Sequence, residues 1–132
     1  MKILRSVIKH PYRRRFPNST LYAFAGVTTD FNPVHINKEF AKNSMFKQRI
    51  AHGMISAGLI SAVLGTELPG VNTIYMNQSL SFLAPVFYGD TLTATVECKE
   101  KDDAKHRIIF KTTVTNQDGK VVTDGEARVM KK

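Results

Sequence analysis

The sequence at residues 51–64 is AHGMISAGLISAVL, and this stretch decides the fold. It contains no charged residue, and apart from His52 every position is small or apolar. A helix that is small or apolar on all sides is buried, and its small residues let backbone or a ligand come close. Gly65 and the Pro69-Gly70 pair are expected to end it. We therefore expect one long central helix, buried by the rest of the chain.

Four strands are predicted after this helix. Apolar and polar residues alternate with period two along three segments, and the apolar rows are Ile74, Met76, Leu80 and Phe82, then Leu92, Ala94, Val96 and Cys98, then Ile108, Phe110, Thr112 and Val114. Asp118-Gly119 predicts a hairpin into a fourth strand from Val121 to Met130. Because strands and helices do not alternate, the pattern favours an antiparallel sheet packed on the helix, an α+β architecture.

The segment before the central helix is predicted to be mixed. Residues 12–16 fit a short strand with charged side chains on its exposed face. Asn18 or Ser19 can cap a helix that runs to about Val27, because their side chains accept from free amide groups. A short helix is expected from Asn37, before a connecting loop leads to the central helix.

The composition is typical of a soluble globular protein. The chain has 132 residues, 42% hydrophobic and 23% charged, which predicts one domain with a real core. No apolar run approaches the roughly 18 to 20 residues that a membrane-spanning helix needs. The single cysteine, Cys98, excludes an internal disulfide and a thiolate metal site, and a reducing cytoplasmic location is the default expectation.

The net charge of +8 is concentrated at the N-terminus. Six basic residues and no acidic residue precede Asp30, whereas thirteen basic and eleven acidic residues follow from there. An acid-free, arginine-rich start suits an organelle transit peptide, a nucleic-acid arm, a basic face around a phosphate-bearing ligand, or a solvated edge. No recognition module follows for nucleic acid, and residues 12–16 also fit the folded domain. A phosphate-bearing or acidic partner stays attractive.

The stretch DFNPVH at residues 30–35 brings a carboxylate close to an imidazole. Pro33 excludes a regular helix from Asp30 to His35, so a turn must bring the two side chains together. A histidine titrates near neutrality, and a carboxylate beside it can fix its tautomer or share its proton load. Asn32 could orient one of them. The pair therefore suits general acid–base chemistry, although an Asp at a helix end and a His in a loop are also common structural residues.

Other kinds of catalytic site are poorly supported. No serine lies in a Gly-x-Ser-x-Gly elbow, and Cys98 falls on an inward strand position, so no covalent nucleophile is evident. His35 and His52 are far apart in sequence, which argues against a metal site. Gly53 stands in the first turn of the central helix, where free amides could hold a carbonyl oxygen. Close packing of helix against strand would explain this glycine equally well.

Several motifs in order resemble a known family. They are Asp30-Phe31-Asn32-Pro33-Val34-His35, Ala51-His52-Gly53-Met54 with Ser61, Leu68-Pro69-Gly70, and Phe82 to Asp90 with the sequence FLAPVFYGD. From about Tyr12 to the C-terminus the chain resembles the MaoC-like hydratases, and within them the (R)-specific enoyl-CoA hydratases. Many relatives have a glycine where this chain has Thr29.

The resemblance implies a hot-dog fold, an antiparallel β-sheet wrapped around a long central helix. It implies a single domain over residues 1–132, with 1–11 as a basic N-terminal extension, and a homodimer with the two sheets side by side. The implied reaction is reversible addition of water to trans-2-enoyl-CoA, giving (R)-3-hydroxyacyl-CoA, in fatty-acid or polyhydroxyalkanoate metabolism. No metal or redox cofactor is implied, because coenzyme A belongs to the substrate. No nucleic-acid or membrane partner is expected.

The resemblance also implies roles for individual residues. Asp30 and His35 form the catalytic dyad that holds one water, and the Gly53 amide stabilises the thioester oxygen. The expected substrate-binding residues are Asn32, His52, Ser61 and Leu64.

Three other functions stay open at this point. The first is a (R)-3-hydroxyacyl-acyl-carrier-protein dehydratase of type II fatty-acid synthesis, which runs the same chemistry in reverse. The second is a non-catalytic hot-dog protein that binds acyl thioesters, and the third is a thioesterase on the same fold.

Overall fold

The computed structural model describes residues 9–15 and 18–132. Within them lie five strands and four helices: β1 (Lys9–Arg15), α1 (Asn18–Thr28), α2 (Pro33–Ile36), α3 (Lys38–Lys42), α4 (Gly53–Thr66), β2 (Thr73–Phe82), β3 (Thr91–Asp102), β4 (Arg107–Thr115) and β5 (Val121–Lys131). The predicted strand near the N-terminus, the first helix and the four later strands are all confirmed. The basic segment before Lys9 lies outside the described residues.

The strands form one antiparallel sheet in the order β1-β3-β4-β5-β2. Helix α4 packs on one face of this sheet, which confirms the α+β architecture. Two predicted inward rows, on β3 and β4, are buried as expected and form most of the core with α4. Burying a side chain as large as Phe110 stabilises the fold by roughly 1.5–3 kcal/mol.

The central helix differs from its prediction in two respects. It begins at Gly53 and continues through Gly65 to Thr66, so Gly65 does not end it. One face is also exposed, including Met54, Gly58 and Ser61, so the expectation of burial on all sides was wrong. The sheet covers only one side of the helix, and no described part of the chain folds over the other.

The edge strand β2 is also more exposed than its alternation predicted. Ile74, Met76 and Phe82 are 48%, 46% and 53% exposed. The pairing of β2 with β5 shifts between Tyr75 and Asn77, so the bulge falls at Met76 and interrupts the period-two pattern. An edge position gives β2 one neighbouring strand, and its Tyr75, Met76 and Leu80 border the groove beside the exposed face of α4.

A single turn of helix, α2, carries His35 and was not predicted from the sequence. Pro33 occupies the first turn of α2, where its missing N–H costs nothing. Asn32 caps this helix, because its side-chain oxygen accepts from the Val34 amide at 3.2 Å. No regular helix runs from Asp30 to His35, as predicted: residues 29–32 are not helical, and Pro33 starts the short helix that carries His35. None of the helices in residues 18–132 combines the length and apolar character needed to cross a bilayer.

Candidate active site

The loop that carries Asp30 is held by hydrogen bonds to its own backbone. The Asp30 amide donates to Thr28 Oγ1 at 3.2 Å, and Asp30 Oδ1 accepts from the Asn32 amide at 3.2 Å. Thr29 between them has a φ of 65°, a left-handed conformation that a β-branched residue adopts at a cost. These contacts fix the backbone of Asp30, whose side chain lies at an exposed position.

The imidazole of His35 has a defined tautomer. Its Nδ1 lies 2.8 Å from the Ile50 carbonyl oxygen, which can only accept, so Nδ1 carries the proton and donates. In the neutral ring Nε2 therefore keeps a lone pair that can take a proton. The side chain is 8% exposed, and Tyr88 Oη donates to the His35 carbonyl at 2.9 Å. The ring is thus fixed in orientation with one basic atom free.

The ring of His52 lies directly against that of His35. The two ring centroids are 4.0 Å apart with planes at 30°, and His52 is 3% exposed. Its Nε2 donates to the Asp30 carbonyl at 2.9 Å, so the neutral ring has its lone pair on Nδ1. Nδ1 is buried with no hydrogen-bond partner among the described residues. Burial lowers the pKa of His52, against the opposing effect of its hydrogen bond to Asp30.

Asp30, His35 and His52 therefore form one cluster. One donor atom from each lies within 4.8 Å of the others. The separation of His35 and His52 along the sequence was taken as an argument against a metal site. Residues 36–51 nevertheless bring the two rings together, and the absence of a metal stays a prediction. His35 Nδ1 and His52 Nε2 both donate to backbone carbonyls. The Asp30 carboxylate and His35 Nε2 are therefore left to exchange protons, while the remaining lone pair of His52 lies on its buried Nδ1.

A cavity of about 320 Å³ adjoins this cluster. His35 and Gly53 line it, together with apolar side chains that include Phe46 and Phe82. Gly53 is the first residue of α4, where amides have no partner within the helix. A Cβ built at Gly53 would lie 3.0 Å from the Phe82 ring, so close packing is one reason for a glycine here. The role of its amide stays a prediction.

Sequence reasoning missed Ser56, which is buried in the wall of this cavity. Ser56 Oγ donates to the Gly53 carbonyl at 2.7 Å, and Thr123 Oγ1 lies 2.9 Å from Ser56 Oγ. Because the single Ser56 proton is used on Gly53, Thr123 is the donor in the second bond. This chain of bonds ties the first turn of α4 to β5. The signal available in the sequence was the position of Ser56, three residues after Gly53 on the same helix.

The remaining predicted residues lie in three different settings. Ser61 is exposed on α4 and lines an open groove of about 720 Å³ between that helix and β2. Leu64 is 1% exposed and belongs to the core. Asn32 caps α2, as described above. Of these three, Ser61 alone faces an open space.

The environment of His52 predicts a pH-dependent contribution to stability. Because folding lowers the pKa of His52, the unfolded chain takes up this proton first as the pH falls through about 6.5. The contribution is therefore present above that pH and is lost below it. We expect the free energy of unfolding, measured with urea, to fall more from about pH 7.5 to about pH 5.5 in the wild type than in His52→Gln. Equal losses in the two proteins would contradict this reading, since all other histidines are shared.

The chain matches a family model and is similar to known proteins. A family model described as MaoC like domain matches residues 4–120. An (R)-specific enoyl-CoA hydratase of Rhodospirillum rubrum is 56% identical over 112 residues, which cover 85% of this chain and 77% of the relative. The 3-hydroxyacyl-[acyl-carrier-protein] dehydratase FERN, mitochondrial, of Solanum lycopersicum is 35% identical over 127 residues, with 95% and 74% covered.

A solved structure shares the fold over the full length of both chains. The solved protein is an (R)-hydratase from A. caviae described as involved in PHA biosynthesis. It superposes on this chain with a TM-score of 0.96 at 39% sequence identity. The coverage is 100% of each chain. The hot-dog fold that the resemblance implied is therefore confirmed.

Proposed function

The chain belongs to the MaoC-like domain family, and from that premise we propose that it is an (R)-specific enoyl-CoA hydratase. As a hydro-lyase it adds water reversibly to trans-2-enoyl-CoA and gives (R)-3-hydroxyacyl-CoA. The observation that carries the proposal is the clustering of Asp30 with His35, whose Nε2 keeps its lone pair, beside an apolar cavity. Both groups can accept a proton from one water, which is the chemistry that hydration of a double bond requires.

The proposed mechanism follows from where protons can go. A water held between Asp30 and His35 gives up a proton to the pair as its oxygen attacks C3 of the enoyl group. The electrons of the double bond shift toward the thioester, whose oxygen becomes negative and is stabilised by the Gly53 amide at the start of α4. The proton then passes from the pair to C2. One water is added in all, and both groups return to their starting states.

The proposed supporting roles follow the contacts of each residue. His52 fixes the Asp30 backbone and packs on the His35 ring, so it acts through the dyad rather than on the substrate. Asn32 acts in the same indirect way, because it caps the helix that carries His35. Ser61 and, beneath it in the core, Leu64 are proposed to bound the acyl chain. Ser61 has the better support, since it lines the open groove.

Steady-state hydration of a series of trans-2-enoyl-CoA substrates tests the function. Loss of the conjugated enoyl absorbance follows the reaction, and an (R)-specific 3-hydroxyacyl-CoA dehydrogenase reports the configuration of the product. We expect turnover with at least one chain length and an (R) product. Absence of hydration at every chain length would refute the proposal, whereas release of free thiol, seen with a thiol reagent, would indicate a thioesterase.

A second candidate function is dehydration of 3-hydroxyacyl-acyl-carrier-protein. The tomato relative bears that name, and an acidic carrier protein would suit the basic residues of this chain. Steady-state rates on matched crotonyl-CoA and crotonyl-carrier substrates separate the two functions. A higher kcat/KM on the carrier-bound substrate would favour the dehydratase.

The proposal also covers the cofactor requirement, the extent of the domain and the location in the cell. The reaction as written needs no metal or redox group, and coenzyme A enters as part of the substrate. The hydratase is proposed to occupy residues 1–132 as one domain. A cytoplasmic location is proposed because its one cysteine, Cys98, is a buried free thiol. Microscopy of a fluorescent fusion would test the compartment.

A homodimer is proposed on the exposed side of α4. This surface joins the edge strand β2, through its exposed Tyr75 and Met76 and half-buried Leu80, to an uncharged helix face containing Gly58 and Ser61. Monomers rarely expose a continuous apolar surface of this kind, and an edge strand has free backbone groups. A second copy of the chain that presents the same surface would cover both the edge of β2 and the exposed face of α4.

The dimer proposal predicts the effect of one charge on this surface. Met76→Glu should shift the protein from twice the mass of one chain to a single chain in light scattering after size exclusion, because a carboxylate resists burial between copies. Met45→Glu is the matched control, since Met45 is 85% exposed outside this surface. A wild-type protein that runs as a monomer would contradict the proposal.

A further inference from the structure

A second concave site lies behind the segment that borders the dyad cavity. It is a cleft of about 450 Å³, here called the basic cleft, and its positive side chains are Lys38, Lys42, Lys47 and Arg49. Tyr88 and one acidic residue, Glu39, also form part of its wall, so its lining carries a net positive charge. The segment from residue 46 to residue 50 serves both spaces, because Phe46 and Ile50 line the dyad cavity while Lys47 and Arg49 line the cleft.

The basic cleft holds the net positive charge of this part of the chain. Residues 38–49 carry four basic side chains and one acidic side chain, Glu39, whereas the rest of residues 18–132 carries nine basic and ten acidic ones. Among the described residues none of the four cations forms an ion pair with a carboxylate; the pairs found are Lys99 with Glu126 and Lys101 with Asp103. Like charges gathered in a concave site attract anionic ligands.

One cation of the cleft is held in position before any ligand arrives. The Arg49 guanidinium carbon lies 3.9 Å from the centroid of the Tyr88 ring, a cation–π contact. Arg49 Nη1 also donates to Tyr22 Oη at 2.9 Å. A planar guanidinium fixed in this way loses little freedom when it binds a phosphate through its remaining N–H groups.

The basic cleft is joined to the dyad by two direct links. Tyr88, in the cleft wall, donates to the His35 carbonyl at 2.9 Å. Ile50, whose carbonyl accepts from His35 Nδ1, immediately follows Arg49. The residues that line the basic cleft are therefore in direct contact with the residues that hold the dyad.

We propose that the basic cleft binds the phosphate groups of the nucleotide end of coenzyme A, with Lys38, Lys42 and Lys47 as flexible cations around the fixed Arg49. This inference rests on the hydratase function proposed above, and it names the carrier for that same site. Coenzyme A carries a 3′-phosphate and a diphosphate, which match a concave cationic cleft of this volume. A folded acidic carrier protein would contact a broader surface.

Binding energy from phosphates acts far from the reacting carbons. Such energy is the same in the ground state and the transition state, so its loss raises KM and leaves kcat unchanged. The triple variant Lys38→Gln, Lys42→Gln, Lys47→Gln should therefore raise KM for crotonyl-CoA by about tenfold, with kcat within about twofold of the wild type. Arg49 is left intact because its contacts to two tyrosines also support the fold.

The matched control removes three equally exposed lysines elsewhere, at Lys105, Lys120 and Lys132, each replaced by glutamine. It keeps the same net charge as the cleft variant, so it measures the effect of the overall field. Crotonyl-pantetheine, which has no phosphate, is the second control and should give the same kinetics in all three proteins. Direct titration of free coenzyme A by calorimetry measures the cleft without catalysis, and we expect about tenfold weaker binding in the cleft variant alone.

Three results would overturn the proposal: an unchanged KM and coenzyme A affinity in the cleft variant, an equal change in the control, or a loss confined to crotonyl-carrier protein. The last would assign the basic cleft to a protein partner. If no enoyl thioester is hydrated but the cleft variant still loses coenzyme A affinity, the hydratase function fails and the cleft assignment stands. If crotonyl-pantetheine is hydrated and the coenzyme A affinity of the cleft variant is unchanged, the hydratase function stands and the cleft assignment fails.

Discussion

His35→Asn and Asp30→Asn should each lower kcat for hydration of crotonyl-CoA by a factor on the order of 10²–10⁴, with the fold retained. The asparagine amide at position 35 can still donate to the Ile50 carbonyl, as His35 Nδ1 does at 2.8 Å, but it has no basic nitrogen to replace Nε2. At position 30 the amide oxygen can still accept from the Asn32 amide, whereas the negative charge is gone. Each variant removes a proton acceptor and keeps the local hydrogen bond.

Two further measurements separate chemistry from structure in this prediction. Urea unfolding should give midpoints near that of the wild type, because both substitutions keep the bonds that hold the loop. The double variant should lose little more activity than the worse single variant, since the two groups act on one water as a unit. If either single variant kept more than about a third of the wild-type kcat, that residue would not be part of the proton-transferring pair.

Local sequence pattern was enough to predict most of the fold. Apolar and polar residues alternate along β3 and β4 because one sheet face meets α4 and the other meets solvent. This alternation can be recognised in the sequence itself. The pairing of Asp30 with His35 was within reach for a related reason, because a short turn joins the two and the order of motifs supported it. Such features depend on neighbours along the chain.

Features set by contacts between distant segments were not predictable in the same way. The contacts of His52 could not be predicted from the sequence, because they arise where residues 36–51 return the chain to Asp30: His52 donates to the Asp30 carbonyl and packs on the His35 ring. The exposed face of α4 carries small residues such as glycine and serine, as a buried face would. Such residues can pack against a helix, a strand or a second copy of the chain. The composition of α4 therefore does not indicate which of these neighbours covers that face.

The distribution of charge shows the same limit. Counting along the sequence assigned the positive excess to residues before Asp30, and Lys38 to Arg49 did not stand out among the balanced remainder. Folding brings four of these later cations to one cleft, where Glu39 is the single acidic side chain. A count of charges along the chain does not report their spacing in three dimensions.

Gly125→Ala should destabilise the protein by more than about 3 kcal/mol, a large part of the roughly 5–15 kcal/mol that holds a domain together. Gly125 lies on β5 between Leu80 of β2 and Thr112 of β4. A Cβ added there would sit 1.8 Å from the carbonyl oxygen of Ser79 and 2.6 Å from its carbonyl carbon. Because these are backbone atoms of a paired strand, no side-chain rotation can relieve the overlap.

Relief would require β2 to move away from β5, which breaks hydrogen bonds between the strands and disturbs the surface proposed for the dimer. We expect a lower urea midpoint in Gly125→Ala, or no folded protein. Gly26→Ala is the matched control, since a Cβ on that residue of α1 meets nothing within 4 Å and alanine should stabilise the helix by up to about 1 kcal/mol. Both variants add the same methyl group, so opposite shifts would assign the loss to the approach of β2. A Gly125→Ala protein with the wild-type midpoint would mean that β2 does not pass this close to β5.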